Sequence, residues 1–202
     1  MVYVGTTSRG TEVVINKLVI ERKITLTGGI VHHLMAGFGG GRKSIVPGVS
    51  RRKTIAQNHL HALDPEAEHS NPLIGVGAVA GNPLHEDMVE AAQFVNPDFL
   101  VNAIIDTNGK IAKLVAGHWL KAWEKGCRWT DEKFGVPISR RADLVIASCG
   151  RYPKDISLYQ STKALFNAAP AVKPGGTILL IAECREGAGA DEFFGWSRPP
   201  LI

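Results

Sequence analysis

Between His32 and His61 the chain places four glycines in five positions, Gly37, Gly39, Gly40 and Gly41, and follows them at once with Arg42 and Lys43. Paired histidines flank the run, His32 and His33 before it, His59 and His61 after it. Core packing needs none of this, so the stretch is read as a loop built for a ligand. Glycines let a backbone approach a ligand closely and turn several N–H groups toward an anion. The charge points the same way. Residues 1–63 hold nine Lys or Arg against two acidic residues, although the formal charge of the whole chain is only +4. A basic, glycine-rich segment suits a phosphate or a carboxylate. It suits nucleic acid poorly, because no aromatic side chains are interleaved to stack on bases.

Two glycine motifs are excluded by spacing. A Walker A loop needs Gly directly before Lys and Ser, and here Arg42 separates Gly41 from Lys43-Ser44. The dinucleotide fingerprint has its third glycine one position too early, and the two histidines separate the run from the strand before it.

At 202 residues the chain forms one large domain or two small ones. No apolar run approaches the ~20 residues of a membrane span, and no basic-then-apolar leader opens the chain. Cys127, Cys149 and Cys184 are odd in number and far apart, which fits reduced thiols in the cytoplasm. Both ends read as cut, with a short helix expected just before Ser197, and a fragment or an altered tail is expected.

Element signals divide the chain near residue 135. In the first part, residues 14–22 read as a helix and 23–27 as a short strand. Ser50 is the expected N-cap of a helix running to about Leu63. Asn82 and Pro83 start another that runs to Phe94. Strands are expected at 99–105 and 110–115 around the hairpin signal Asp106-Thr-Asn-Gly109, and a helix at 118–133. Gly135-Val-Pro137 is linker-like. Beyond it, strand 143–148, helix 157–169, a turn at Pro174-Gly-Gly176 and strand 177–182 make a βαβ unit with a parallel pair. The expectation is α/β, with a cofactor-holding part over 1–134 and a second α/β part over 135–202.

The histidines need the helical phase. On the helix from Ser50, Ile55, Ala56, Leu60, Ala62 and Leu63 mark one face, with His59 inside it and His61 opposite. His59 is therefore expected inward and His61 outward. A lone inward histidine serves as a hydrogen-bonded core residue or as a ligand. His61, His69, His85 and His118 read as surface or packing residues. The cysteines show no zinc-ligand spacing with the histidines, and HEXXH is absent. On the second-part helix, Tyr159, Gln160, Lys163 and Asn167 share a polar strip that could grip a carboxylate or simply face solvent.

These pieces resemble the nickel-pincer lactate racemase family, enzymes that racemise or epimerise 2-hydroxy acids. The resemblance runs from about Val4 to the EGAGADEF stretch. It rests on His33 ten residues before Lys43, on His59 sixteen residues after it, and on LYQSTK with Gln160 and Lys163.

The resemblance implies two Rossmann-like α/β units with the active site in the cleft between them. It implies a nickel-pincer nucleotide, pyridinium-3-thioamide-5-thiocarboxylic acid mononucleotide, held covalently by Lys43, with His59 as the one protein ligand to nickel. Gly39, Gly40, Gly41 and Arg42 would help hold the cofactor, with its phosphate near Arg42 and the loop amides. His33 would be one of two catalytic bases, and Tyr159, Gln160 and Lys163 would bind the substrate. The partners implied are a small 2-hydroxy acid and the cofactor-biosynthesis enzymes, with neither nucleic acid nor membrane. In the family, a segment preceding the part matched here carries the second catalytic histidine and an Asp/Arg pair. Two other readings of the loop are a kinase-like nucleotide binder and a non-catalytic binding module.

Overall fold

β-Branched residues open the chain as a hairpin. In the computed structural model, which describes residues 1–67 and 69–189, β1 (Val2–Thr6) pairs antiparallel with β2 (Glu12–Ile15). Val13 and Ile15 alternate into the core with no exposed surface. The helix expected over 14–22 is therefore wrong in its first part. Residues 12–15 pair as a strand, and only one helical turn follows, α1 (Lys17–Ile20), capped by Asn16, whose side chain accepts the Leu18 N–H. Pairing with β1 outweighs a helical pattern that short.

The first unit, Met1–Gly135, continues through β3 (Thr25–Gly29), β4 (His32–His33), β5 (Ala36–Phe38) and a 3-10 turn at Gly41–Ser44. Then come α2 (Arg52–Leu60), β6 (Gly75–Val76), α3 (Pro83–Val95), β7 (Phe99–Ile105), β8 (Ile111–Gly117) and α4 (Trp119–Phe134). β7 is central to one sheet, parallel to β3 and antiparallel to β8 across the expected hairpin. β5 is central to another, antiparallel to β4 and parallel to β6. Among the described residues the strands form four sheets of two or three strands, not one continuous doubly wound sheet. Leu26, Ile30, Phe38, Ile45, Leu84 and Met88 are among the side chains of the shared core. No helix of the described residues is long and apolar enough to cross a membrane.

The start of α3 follows the sequence signals. Asn82 accepts the His85 N–H at 3.1 Å, Pro83 takes the first helical position, and Asn96 closes the helix in a left-handed conformation. α2 does not follow its signals. Ser50 bridges to Ile15, its hydroxyl donates to the Pro47 carbonyl, and the Arg51 N–H donates to Val14. Ser50 is thereby drawn into the edge of β2, and the helix begins two residues later.

The phase of α2 also departs from the expectation, although Ala62 of the expected face is buried. Thr54 and Asn58 are fully buried, whereas Ala56, Leu60 and Leu63 are exposed. The cause is a buried polar network centred on Asp87 of α3. Its carboxylate accepts from Thr7 Oγ1 at 2.5 Å, Thr11 Oγ1 at 2.9 Å and Asn58 Nδ2 at 2.7 Å. Thr54 donates to the Glu12 carbonyl at 2.6 Å. His61, expected outward, turns toward this network, with Nε2 3.1 Å from Thr11 Oγ1. Satisfying buried polar groups decides the phase, because each orphaned donor would cost about 1–3 kcal/mol.

The second unit begins at Val136. β9 (Ala142–Ser148) and β10 (Val172–Ile181) pair in parallel, joined by α5 (Leu158–Ala168). Ser157 caps α5 by accepting the Gln160 N–H. Pro174-Gly-Gly176 is not a separate turn. It lies within β10, where the register against β9 shifts between Val172 and Thr177. The short helix expected before Ser197 lies outside the described residues.

The Asp87 network ties β1, β2, α2 and α3 together. Replacing Asp87 with Ala orphans three donors, so unfolding free energy should drop by about 3 kcal/mol or more. Chemical denaturation of the variant checks this, and a loss below ~1 kcal/mol would remove the network from this role.

Candidate active site

The glycine run closes on itself. Gly40 and Gly41 have φ of +71° and +54°, where L side chains are strained. A Cβ at Gly40 would sit 2.6 Å from Asn102 Oδ1, and one at Gly41 would sit 2.5 Å from the Trp123 ring. Backbone donors are committed as well. The Gly39 N–H donates to Val31 at 2.8 Å, and the Gly41 N–H donates to Asn102 Oδ1 at 2.9 Å. The glycines thus allow close packing against β7 and α4. This corrects the expectation that the Gly39 and Gly41 amides lie open to an anion.

Arg42 follows the loop inward with no exposed surface. One guanidinium nitrogen donates to Phe38 at 2.7 Å and, more weakly, to Gly40, and the other donates to Ala36 at 2.6 Å. Its carbon lies 4.2 Å from the centre of the Trp123 ring, a cation–π contact worth about 2 kcal/mol when desolvated. The Trp123 Nε1–H donates to the Gly39 carbonyl at 2.8 Å. Arg42 therefore braces the loop from beneath, and the expectation that it reaches a ligand phosphate is corrected: both terminal nitrogens hold backbone carbonyls. No carboxylate pairs with it among the described residues. Burial accordingly pushes its pKa down to about 9.

Lys43 leaves the same turn in the other direction. Its backbone is pinned, N–H to Gly40 and carbonyl to the Gly48 N–H. Its Nζ lies 3.3 Å from His33 Nε2. Burial first, and the Arg42 charge second, lower its pKa to about 8. His33, on β4, is oriented from behind: Nδ1 accepts the Ala36 N–H at 3.1 Å and the Met35 N–H at 3.3 Å. With Nδ1 accepting, neutral His33 carries its proton on Nε2, facing Lys43.

His59 lies half-buried on α2. Its Nδ1 is 2.8 Å from the Ile55 carbonyl. A carbonyl only accepts, so Nδ1 carries the proton and Nε2 keeps its lone pair, the arrangement a metal-ligating histidine needs. Among the described residues no group of three or more His, Cys, Asp or Glu side chains could hold a metal ion.

Tyr159, Gln160 and Lys163 lie on α5 of the second unit. Lys163 donates to Gln160 Oε1 at 2.6 Å, and both line a cleft of about 610 Å³. Ser148 at the end of β9, Lys154 and Asn167 line it too. Tyr159 is half exposed. The cleft lies at the carboxyl end of β9, a position where parallel-sheet proteins place ligands.

Sequence reading missed four side chains that shape the first-unit site. Asn102 breaks an apolar strand, FLVNAII, and that polar break was the available signal. Trp123 sits on the buried face of α4. His85, read as a surface or packing residue, is buried, with its ring centroid 5.2 Å from that of Trp123. Asp87 had no sequence signal beyond an acid inside a helix.

Residues 1–70 match the family model described as the lactate racemase N-terminal domain, and residues 138–198 match the lactate racemase C-terminal domain. The chain belongs to the lactate racemase family. It is 39% identical over 199 residues to a lactate racemase of Thermoanaerobacterium thermosaccharolyticum, covering 98% of this chain and 45% of that one. It is 35% identical over 195 residues to a lactate racemase of Lactiplantibacillus plantarum, covering 96% and 45%. The solved lactate racemase apoprotein from T. thermosaccharolyticum superimposes with a TM-score of 0.89 at 39% identity over 96% of this chain and 45% of that chain. A Thermotoga maritima protein with a TM-score of 0.61 and 18% identity, over 88% of this chain and 47% of that one, shares the fold. The chain spans about half the length of the lactate racemases it matches.

His85 carries a testable pH dependence. Burial, then the Arg42 charge, lower its pKa from 6.5 to about 3. Between those values the unfolded chain binds a proton that the folded chain refuses. Stability from this group is therefore full above 6.5 and declines as pH falls toward 3, by at most about 1.4 kcal/mol per pH unit. Denaturation of the wild type and His85→Phe across this window should give a shallower acid slope in the variant. Equal slopes would exclude His85 as a cause.

Proposed function

We propose that this chain carries the cofactor-anchoring part of a 2-hydroxy acid racemase or epimerase that uses a nickel-pincer nucleotide. The observation that carries the reading is the pair His33–Lys43: a histidine in contact with a half-buried lysine whose pKa is lowered, presented by a braced glycine turn. The donor set fits the cofactor. Lys43 supplies a nucleophilic amine for a covalent bond, and His59 supplies one imidazole lone pair at Nε2. A metal held there takes its remaining ligands from the cofactor, and nickel accepts imidazole in such a mixed set.

When bound, the cofactor supplies a hydride acceptor for the substrate Cα–H, a bond too weakly acidic for a side chain to deprotonate directly. His33 takes the hydroxyl proton and later returns it, a role an imidazole can fill in both directions. To accept at Nε2, His33 must first move its present proton to Nδ1, which requires the Ala36 and Met35 N–H groups to let go. Tyr159, Gln160 and Lys163 bind the substrate, with the Lys163 ammonium, oriented by Gln160, facing the carboxylate. The N-terminal glycine loop holds Lys43 in place by its shape. Lactate is the substrate of the named relatives, and a small 2-hydroxy acid is the class proposed here. The kinase-like reading is disfavoured, because Gly39 and Gly41 spend their N–H groups within the protein.

Co-expression with the cofactor-biosynthesis enzymes tests the assignment by intact mass and metal analysis. A covalent mass increment and bound nickel are expected in the wild type. Lys43→Ala should lose the increment, and His59→Ala should keep it while losing most of the nickel. A wild type with neither increment nor nickel would sink the reading.

A further inference from the structure

Arg42 and Lys43 are adjacent cations, the first fully buried and the second half-buried, and no acid is paired with either among the described residues. Like charges at partly desolvated neighbouring positions without a counter-ion are unfavourable, and the pair relieves this when one member gives up its proton. Arg42 is the poorer candidate, since its terminal nitrogens donate to three carbonyls that hold it in the charged form. The hydrogen-bond geometry selects Lys43 independently. Because His33 Nδ1 accepts from Ala36 and Met35, Nε2 carries a proton and points it at Lys43 Nζ, 3.3 Å away. An ammonium has no lone pair to receive that proton, and a neutral amine has one.

We propose that Arg42 is a positioning residue whose buried charge, together with the Nε2–H of His33, enlarges the unprotonated share of the Lys43 amine before the cofactor arrives. The inference rests on the reading of Lys43 as the cofactor anchor. An unprotonated amine is the form that bonds to a thiocarboxylic carbon. A C–N bond forms, the C–OH bond breaks, and the hydroxyl leaves as water with one amine proton; nothing is oxidised or reduced.

The surroundings agree. The 3-10 turn packs on β3, which offers no ionisable side chain, and on α3 and α4. From α4 the ionisable group coupled to Arg42 is the Cys127 thiol, which burial raises to about 12 and so keeps neutral. From α3 the group coupled to Arg42 is His85, also neutral near pH 7. Asp87, on the same helix, is turned away to Thr7, Thr11 and Asn58. Lys43 itself is lowered from 10.5 to about 8. At pH 8 that raises the unprotonated fraction about a hundredfold.

The test is a pH titration of the full chain, free of cofactor, with 13C-labelled lysine followed by NMR and the Lys43 signal assigned with Lys43→Arg. The expected midpoint for Lys43 is about 8 instead of the ordinary 10.5. Arg42→Met should move it up toward 10.5, with burial retaining part of the shift. Arg42→Lys keeps the charge but loses the fork, and it should leave the midpoint low. A wild-type midpoint near 10.5 overturns the inference, even if Arg42→Met fails to fold. So does an unchanged midpoint in folded Arg42→Met, or an equal rise in both variants, which would mark Arg42 as a brace alone. The outcomes separate from those for the cofactor. A high midpoint with a Lys43 adduct sinks this inference only, and a low midpoint with no adduct sinks only the anchor assignment.

Discussion

A guanidinium enclosed by its own loop is the constraint on which the first unit's site depends. Arg42 holds the Ala36, Phe38 and Gly40 carbonyls and lies against the Trp123 ring, while Trp123 holds Gly39. These contacts convert a glycine run, which would otherwise sample many conformations, into one turn. Charge-assisted hydrogen bonds and a desolvated cation–π contact offset the burial of the charge. The turn then directs Arg42 inward and Lys43 outward from adjacent positions. Filling Gly40 or Gly41 with a side chain would collide with Asn102 or Trp123, so the small residues and the brace are a single device.

A second polar assembly sets the other half of the first-unit site. Asp87 collects hydroxyls from the hairpin and the Asn58 amide from α2. That fixes the rotation of α2 about its own axis, and with it the direction of His59, the residue after Asn58. His59 is then oriented by Ile55, leaving Nε2 available. Both assemblies use buried polar groups to specify geometry, where apolar packing alone would allow a helix to roll or a loop to wander.

Much of this was legible in the sequence. Asn82-Pro83 marked the start of α3, Asp106 to Gly109 marked the β7–β8 hairpin, and the spacing after residue 142 gave the parallel βαβ unit. These signals are local: a cap, a turn, a periodicity. The errors came where a distant partner intervened. Strand pairing with β1 took residues 12–15 away from a helix, pairing with Ile15 removed Ser50 from its cap, and the Asp87 network rolled α2 so that polar residues face inward. Hydrophobic phasing presumes that a buried face is apolar, and α2 breaks that presumption.

The sequence by itself determined which candidate residues the chain carries and in what order: His33, Lys43 and His59 in the first unit, then Tyr159, Gln160 and Lys163 in the second. Order and spacing sufficed for the family, because they survive any error in secondary structure. Tertiary structure decided what each group can do. It turned Arg42 inward as a brace, committed the Gly39 and Gly41 amides within the protein, placed the His33 proton toward Lys43 and left the His59 lone pair on Nε2. Those outcomes depend on which carbonyl or carboxylate lies within about 3 Å of a given atom, and such neighbours come from segments far apart in the chain.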